Sequence, residues 1–462
     1  MTTSTEMQSQ AWKAEPNQHI QTSILQESLW GSRGGAAFAT ASMTDMLQIL
    51  GFDVSCTTLY PDVPMEPPMP FPVDLVDMRT SDLKLSNIEL ARLFSGEYHE
   101  VQTTFDPSYF VDIFDQQINR ADIVFPNYWV AGIAACAARS RAREKKKHVP
   151  SMIYCNHSLF GRVDEAVAIA AQTPAPLNDA LDMVSDPKYQ YTFTDFKRAA
   201  LQQRILSESD GVIVWTECEK TWMLKAYPDI PNLDERLHAV TIPMHYVPEH
   251  NLNLRHTLRS QLLGITDHNT QVFYSQGRMV DYKHPEMVVQ GFADTWNALS
   301  HLQNRPPNIA CAMIGDGPMQ EQCKSLAQSF HPEIQQRIHF LGQQQAQVGH
   351  TIGDTFVFPS SRESFGMVGA EATMSGNTVI ASDLGTIKEA VGEYGRYATN
   401  QVGFSKAMID MALMRTQDRI RLGELLRQSS TRFTPTNTAN DLAHLIANLH
   451  IEQETNHAFV IS

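Results

Sequence analysis

"TFVFPSSRESFGMVGAEATMSGNTVIAS", Thr355–Ser382, changes its periodicity twice within one short stretch. TFVF is β-branched and aromatic and ends at Pro359 and two serines. MVGAEATM suits a helix and stops before Gly376, a residue type common just past helix ends, and TVIAS opens a second buried strand. Strand, loop, helix and strand in this order form the repeating unit of a parallel α/β sheet. Ligands of such sheets gather outside the carboxyl ends of the strands, so the loop Glu363–Gly366 is expected at a binding crevice. Gly366 lets the backbone approach a ligand closely, and the helix after it presents unpaired N–H groups with a partial positive charge, a setting for phosphate. Carboxylates beside phosphate make sense only if they address hydroxyls while cations from elsewhere hold the anion. Glu371, about one turn into the helix and facing back toward its start, suits two adjacent hydroxyls such as those of a ribose. Glu363, ahead of the helix, suits hydroxyls on another part of the ligand.

The cations occur in YSQGRMVDYKHPE, Tyr274–Glu286. Arg278 follows Gly277 at the end of the strand-like QVFYS, and Lys283, read as an exposed side chain, lies five residues later. Arginine forks to two phosphate oxygens and lysine adds a point charge, each contact worth roughly 1.5–3 kcal/mol in a partly dry site.

The same alternation runs through most of the 462 residues, too many for one ordinary core, and implies two domains. TSILQES, DVSCTTL, ADIVFPN, SMIYCNH and GVIVWTE read as strands of a first sheet. QVFYSQG, IACAMIGDG, RIHFLG, TFVFPSS and NTVIAS read as strands of a second, so the fold class is α/β. Prolines and polar residues break the rhythm between Pro243 and Arg255, where the interdomain linker is expected. Pro61–Pro72 reads as a rigid surface loop without chemistry.

The formal net charge of −15 argues against a nucleic-acid partner. Six scattered cysteines without a C-x-x-C pair suit reduced thiols better than a disulfide frame or zinc site. Met1–Gln18 lacks the basic-then-apolar order of a secretory signal, and no apolar run nears the ~20 residues of a membrane span. A cytoplasmic localisation is expected, and the sequon Asn156-His157-Ser158 reads as chance. RSRAREKKKH, Arg139–His148, reads as the solvated end of a helix starting near Trp129, its cations favoured by the helix dipole; peripheral contact with anionic lipid stays open beside that reading.

Four segments in order, GRMVDYK, IGDGP, IHFLG and the E-x7-E element from Glu363 to Glu371, resemble those of the GT-B fold retaining glycosyltransferases. The group is the one, glycosyltransferase family 4-like, that includes sucrose-phosphate synthases and bacterial mannosyl- and glucosyltransferases. The resemblance is strong over residues 270–395 and weaker over the first domain. It implies two Rossmann-like doubly wound domains facing a cleft: an acceptor-binding domain over 1–250, a nucleotide-sugar-binding domain over 251–440, and a last helix, 441–462, crossing back to the first domain. It further implies that Arg278 and Lys283 hold the donor diphosphate, Glu371 its ribose and Glu363 the transferred sugar's hydroxyls. Phe365, Gly366, Met367 and Val368 would line sugar and phosphate with their backbone, and Gly315 would turn near the donor.

The reaction so implied moves a hexose from a nucleoside diphosphate sugar, UDP-glucose type favoured and GDP-mannose open, to the hydroxyl of an acceptor that the residues do not name. Substitution on one face, with the leaving phosphate helping to deprotonate the acceptor, would retain configuration. No cofactor or metal is implied, because two cations serve the diphosphate and no H-E-x-x-H or acidic D-x-D cluster is present. Two departures stand out: Thr378 replaces the group's usual proline, and LGTIKEAV keeps only Gly385 of a later glycine pair.

In the first domain Gly34-Gly35 resembles the group's N-terminal glycine loop, so Gly35 joins the donor-binding set, while Arg33 serves a charged acceptor or solvent. DIVFPNYWVAG and MIYCNHSLFGR resemble strand-end segments that put a histidine, here His157, close to the reacting sugar; a satisfied polar residue is the rival reading. Glu208 and Thr216 read as structural. A GT-B-shaped nucleotide-sugar epimerase and a non-catalytic nucleotide-sugar sensor or scaffold stay open as alternatives, although the complete set Arg278, Lys283, Glu363 and Glu371 argues against silence.

Overall fold

The computed structural model describes residues 21–26, 46–58, 73–75, 120–157, 161–172, 177–190, 193–242, 251–303, 307–434 and 437–447, with positions 43, 44, 118, 159 and 244. Arg33, Gly34, Gly35 and the 61–72 loop lie outside the described residues. Two compact units are found, one of residues 1–243 with 433–462 and one of residues 244–432.

The first unit holds a seven-stranded parallel sheet: β1 (Gln21–Gln26), β2 (Asp53–Thr58), β3 (Val73–Leu75), β4 (Ile123–Asn127), β5 (Ser151–Cys155), β6 (Gly211–Val214) and β7 (Leu237–Ala239). Their spatial order is β3-β2-β1-β4-β5-β6-β7. The second unit holds six parallel strands: β8 (Gln271–Gln276), β9 (Ile309–Ile314), β10 (Ile338–Gly342), β11 (Thr355–Phe358), β12 (Thr378–Ser382) and β13 (Arg396–Ala398). Their order is β10-β9-β8-β11-β12-β13. All ten strands expected from sequence are present. The three that were not expected, β3, β7 and β13, are sheet edges of three residues each, too short to show a period.

β4, β5, β6, β9 and β11 are buried at every position, as expected of parallel strands covered on both faces. Val272 and Tyr274 of β8 join Phe356 and Phe358 of β11 in one buried layer, while Phe273 and Val357 face the other, as alternation along a strand requires. Full burial of each such side chain contributes about 1.5–3 kcal/mol. Residues 437–447 are helical, with Leu442, Leu445 and Ile446 buried, and belong to the first unit. Among the described residues no helix is long and apolar enough to cross a membrane.

Two expectations need correction. The linker does not reach Arg255: Asn251 caps the helix Leu252–Leu263, its side chain accepting from the Leu254 N–H at 3.0 Å. The basic run is not solvated throughout: Arg139, on the helix Tyr128–Glu144, is buried and donates to the Glu208 carbonyl at 2.7 Å and to Asp210 at 2.5 Å, while Arg143 and Lys145–Lys147 are exposed. An arginine at the helix end can reach a carboxylate that sequence distance hides.

The helix Leu252–Leu263 is tied to the second sheet by Asp354, which pairs with Arg255 and, at 2.7 Å, with Arg259, and accepts from the Val272 N–H at 2.7 Å. Burial pushes the Asp354 carboxyl up, but Arg255 and Arg259 outweigh it and hold the group below its ordinary range. A carboxyl lowered by folding stabilises above its unfolded value of about 3.9, and that stability is lost as pH falls through the folded value. Asp354→Asn is expected to cost about 3 kcal/mol by leaving two guanidiniums without their carboxylate. It should also flatten the fall in melting temperature below about pH 4, which thermal melts across pH will check.

Candidate active site

In the second unit the chain builds outward through β8, β9 and β10, then returns to add β11, β12 and β13 on the other side of β8. Loops leaving β8 and β11 therefore diverge, and a crevice opens at their carboxyl ends. The loop after β8 carries Arg278 and Lys283, that after β11 carries Glu363, and the turn after β9 carries Gly315.

The glycine turn after β9 seats the cationic loop. The Gly277 N–H donates to the Ile314 carbonyl at 3.0 Å, the Met279 N–H to that of Asp316 at 2.7 Å, and the Met319 N–H to that of Met279 at 2.9 Å. A Cβ on Gly315, whose φ is +120°, would lie 2.0 Å from the Gly277 oxygen, so no other residue fits. From the opposite side the Ser361 N–H donates to the Tyr282 carbonyl at 2.8 Å.

Arg278 is exposed, its Nη2 3.4 Å from the Tyr282 hydroxyl. Lys283, expected exposed, is not: its side chain is 21% exposed, its Nζ lies 2.9 Å from Glu363 Oε1, and the Phe358 ring is below it at 5.6 Å. Its neighbour 80 positions away decides this, a partner invisible to local reading. Burial pushes the Lys283 ammonium down, but Glu363 outweighs it and the group stays above its ordinary value. Ser360 Oγ donates to the same Glu363 oxygen at 3.0 Å, and Thr386 Oγ1 donates to the Glu363 carbonyl at 2.7 Å.

The helix Met367–Met374 starts after Gly366, at φ +88°, and no side chain caps it. It ends as a Schellman turn, with Gly376 donating to the Thr373 carbonyl at 2.9 Å and Asn377 to that of Ala372 at 3.0 Å. Phe365 is buried behind the loop, and Met367 and Val368 form the first turn beside Glu363 in sequence. One turn on, Glu371 Oε2 lies 3.2 Å from His350 Nε2. His350, and Tyr274 and Asn377 behind it, were not anticipated; their signal was polar residues in stretches that should otherwise be core. Thr378 replaces proline with profit to the backbone: its N–H donates to the Asp354 carbonyl at 3.1 Å, a bond proline lacks.

In the first unit the structure brings His157 to the carboxyl ends of β4, β5 and β6. His157 Nε2 is 2.5 Å from Asn127 Oδ1, and the ring is 5.0 Å from that of Trp215. Burial of the ring pushes the imidazole down to about 3, so it is neutral at physiological pH. Thr216 caps the helix Glu217–Ala226 by accepting from the Glu219 N–H at 3.0 Å, as its structural reading required.

The model of the family described as "Glycosyl transferases group 1" matches residues 264–412. That match lies within the second unit. The chain is 27% identical over 277 residues to the D-inositol 3-phosphate glycosyltransferase of Corynebacterium glutamicum (strain R), covering 56% of this chain and 63% of that one. It is 25% identical over 337 residues to the protein of the same description from Stackebrandtia nassauensis, covering 70% and 67%. The chain thus spans less than two thirds of the first of these relatives. Among solved structures, Anabaena HepE in complex with UDP and glucose superposes with a TM-score of 0.64 at 17% identity, over 93% of this chain and all of that one. The sucrose-phosphate synthase of Thermosynechococcus elongatus gives 0.61 at 18% identity, over 96% and 100%. The GT-B fold class and the family resemblance read from the four segments are borne out.

Gly315→Ala is expected to lower stability by about 2–3 kcal/mol, because the new methyl group must displace the Gly277 carbonyl from a backbone conformation alanine avoids. Chemical denaturation of the wild type and variant will measure it.

Proposed function

We propose that this protein is a retaining hexosyltransferase that uses a nucleoside diphosphate sugar, with UDP-glucose favoured over GDP-mannose. One observation supports this above others: at the strand-order reversal, the Lys283–Glu363 pair joins the loops after β8 and β11, a helix without a side-chain cap follows, and Glu371 lies one turn into it. Arg278, Lys283 and the helix N–H groups would take the diphosphate, Glu371 the ribose and Glu363 the sugar hydroxyls, with the backbone of Phe365–Val368 and Gly315 against the donor. Lys283 has three N–H donors, so one remains on Glu363 while others meet phosphate.

As the sugar C1–oxygen bond to the diphosphate breaks, negative charge collects on the leaving oxygen where these cations already stand. The acceptor oxygen bonds to C1 on the same face, and its proton passes to the departing phosphate. The first unit would hold the acceptor, with Gly35 and His157 contributing to the reacting end; the enzyme would work in the cytoplasm and need no metal. The description of the curated relatives makes inositol 3-phosphate the first acceptor to test.

Incubation with UDP-glucose, GDP-mannose and UDP-N-acetylglucosamine, with and without acceptors, should release nucleotide only when an acceptor is glycosylated, with the product keeping the donor's anomeric configuration by NMR. Donor isomerised without acceptor would mark an epimerase, and tight binding without turnover a sensor. Lys283→Met is expected to lower kcat about 10²–10³-fold, the scale for losing one preorganised group on developing charge. It should cost only about 1 kcal/mol of stability, since Glu363 keeps Ser360 as a donor. Steady-state rates read against melting temperature check this; a rate loss that merely tracks unfolding would refute it.

A further inference from the structure

A line of polar side chains crosses the core of the second unit and ends at Glu371. Tyr274 of β8 is fully buried, His350 in the helix Ala346–Ile352 is 4% exposed, and Asn377 just ahead of β12 is 3% exposed. Asn377 Nδ2 donates to the Tyr274 hydroxyl at 2.9 Å and to the His350 carbonyl at 2.9 Å. That hydroxyl lies 2.7 Å from His350 Nδ1, and His350 Nε2 lies 3.2 Å from Glu371 Oε2.

The chemistry of the groups fixes the two ends: the Asn377 amide nitrogen only donates, so the Tyr274 oxygen accepts from it, and the Glu371 carboxylate only accepts, so His350 Nε2 carries a hydrogen and donates to it. In the neutral ring Nδ1 then accepts the Tyr274 hydroxyl hydrogen. Residues from a strand, a helix and a strand start thus agree on one orientation of one carboxylate oxygen.

A core alone does not call for this. Phenylalanine and leucine fill similar space beside Phe356 without the desolvation that a buried polar line must offset bond by bond. The line terminates on a carboxylate whose side chain keeps 19% exposure at the crevice. With one oxygen tethered, the carboxylate cannot swing to follow a ligand that lacks a hydroxyl. We infer that His350, backed by Tyr274 and Asn377, is a positioning residue that fixes the Glu371 carboxylate and makes the site discriminate ribose from 2′-deoxyribose in the donor nucleotide. The inference rests on the reading of Glu371 as the ribose ligand.

Calorimetric binding of UDP, ADP and GDP, and of the 2′-deoxy counterpart of whichever binds, tests it. The wild type is expected to prefer the ribonucleotide about 10- to 100-fold, the range for one hydrogen bond to a charged group. His350→Leu and Tyr274→Phe should shrink that ratio to under about threefold by weakening the ribonucleotide alone, a residue of it being left by partial ordering. His350→Gln, whose amide can donate from near the Nε2 position, should restore most of it. Inorganic pyrophosphate should bind all four proteins alike. If Tyr274→Phe and His350→Leu keep the full ratio while Glu371→Gln abolishes it, the positioning role is wrong and the ribose assignment stands. If neither the wild type nor Glu371→Gln distinguishes the two sugars, the ribose assignment falls and takes the inference with it. Where the leucine variant does not fold, Tyr274→Phe, which loses one hydroxyl, decides.

Discussion

The second unit's chemistry depends on the short backbone segment Gly277–Lys283 being gripped from both flanks. On one side the turn Gly315–Gly317 lies so near that side chains at either glycine would overlap the Gly277 and Met279 carbonyls. On the other, Ser361 donates to Tyr282. A lysine or arginine held on a loose loop would surrender about 2 kcal/mol of rotamer freedom on meeting a ligand. Here the backbone beneath both cations is already fixed, and it is fixed at the place where the strand order reverses.

Charge follows from this placement. An isolated ammonium over the Phe358 ring and partly shut from water would be destabilised, and Glu363 offsets that. The carboxylate in turn is held by Ser360, and its backbone by Thr386. The group therefore needs no rearrangement to stay charged when a ligand arrives, which is the condition under which a fixed dipole or charge lowers a barrier most. On the proposed reading an acidic protein can build an anion site because the balance is local: net charge says little about a crevice with two cations and a helix amino end.

What could be read from sequence was whatever is determined by neighbours within about ten positions. The apolar runs, the helix stop at Gly376 and the glycine before Arg278 all declare themselves that way. Lys283's burial does not, because its partner is 80 residues distant; neither does Arg139's, whose carboxylate is 71 away. The polar line behind Glu371 joins residues 76 and 103 apart, and only the adjacency of β8 to β11, itself a result of the chain's return, brings them together. Edge strands of three residues escape for the opposite reason, having too few positions to show any pattern.

The two units place different chemistry at equivalent strand ends, and the difference fits a division of labour. In the second, Lys283 meets Glu363; in the first, Asn127 meets His157, whose imidazole burial keeps uncharged, while the buried Glu219 accepts from Asn156 at 2.8 Å and from the Trp215 N–H at 3.3 Å. On the proposed reading the donor's diphosphate demands cations, whereas the acceptor's reacting hydroxyl is met by groups that need carry no positive charge. A protonated imidazole would also oppose the positive character that grows on a sugar carbon as its bond to phosphate lengthens. On the proposed reading, desolvation of His157 therefore serves the reaction by excluding a charge, while pairing of Lys283 serves it by preserving one.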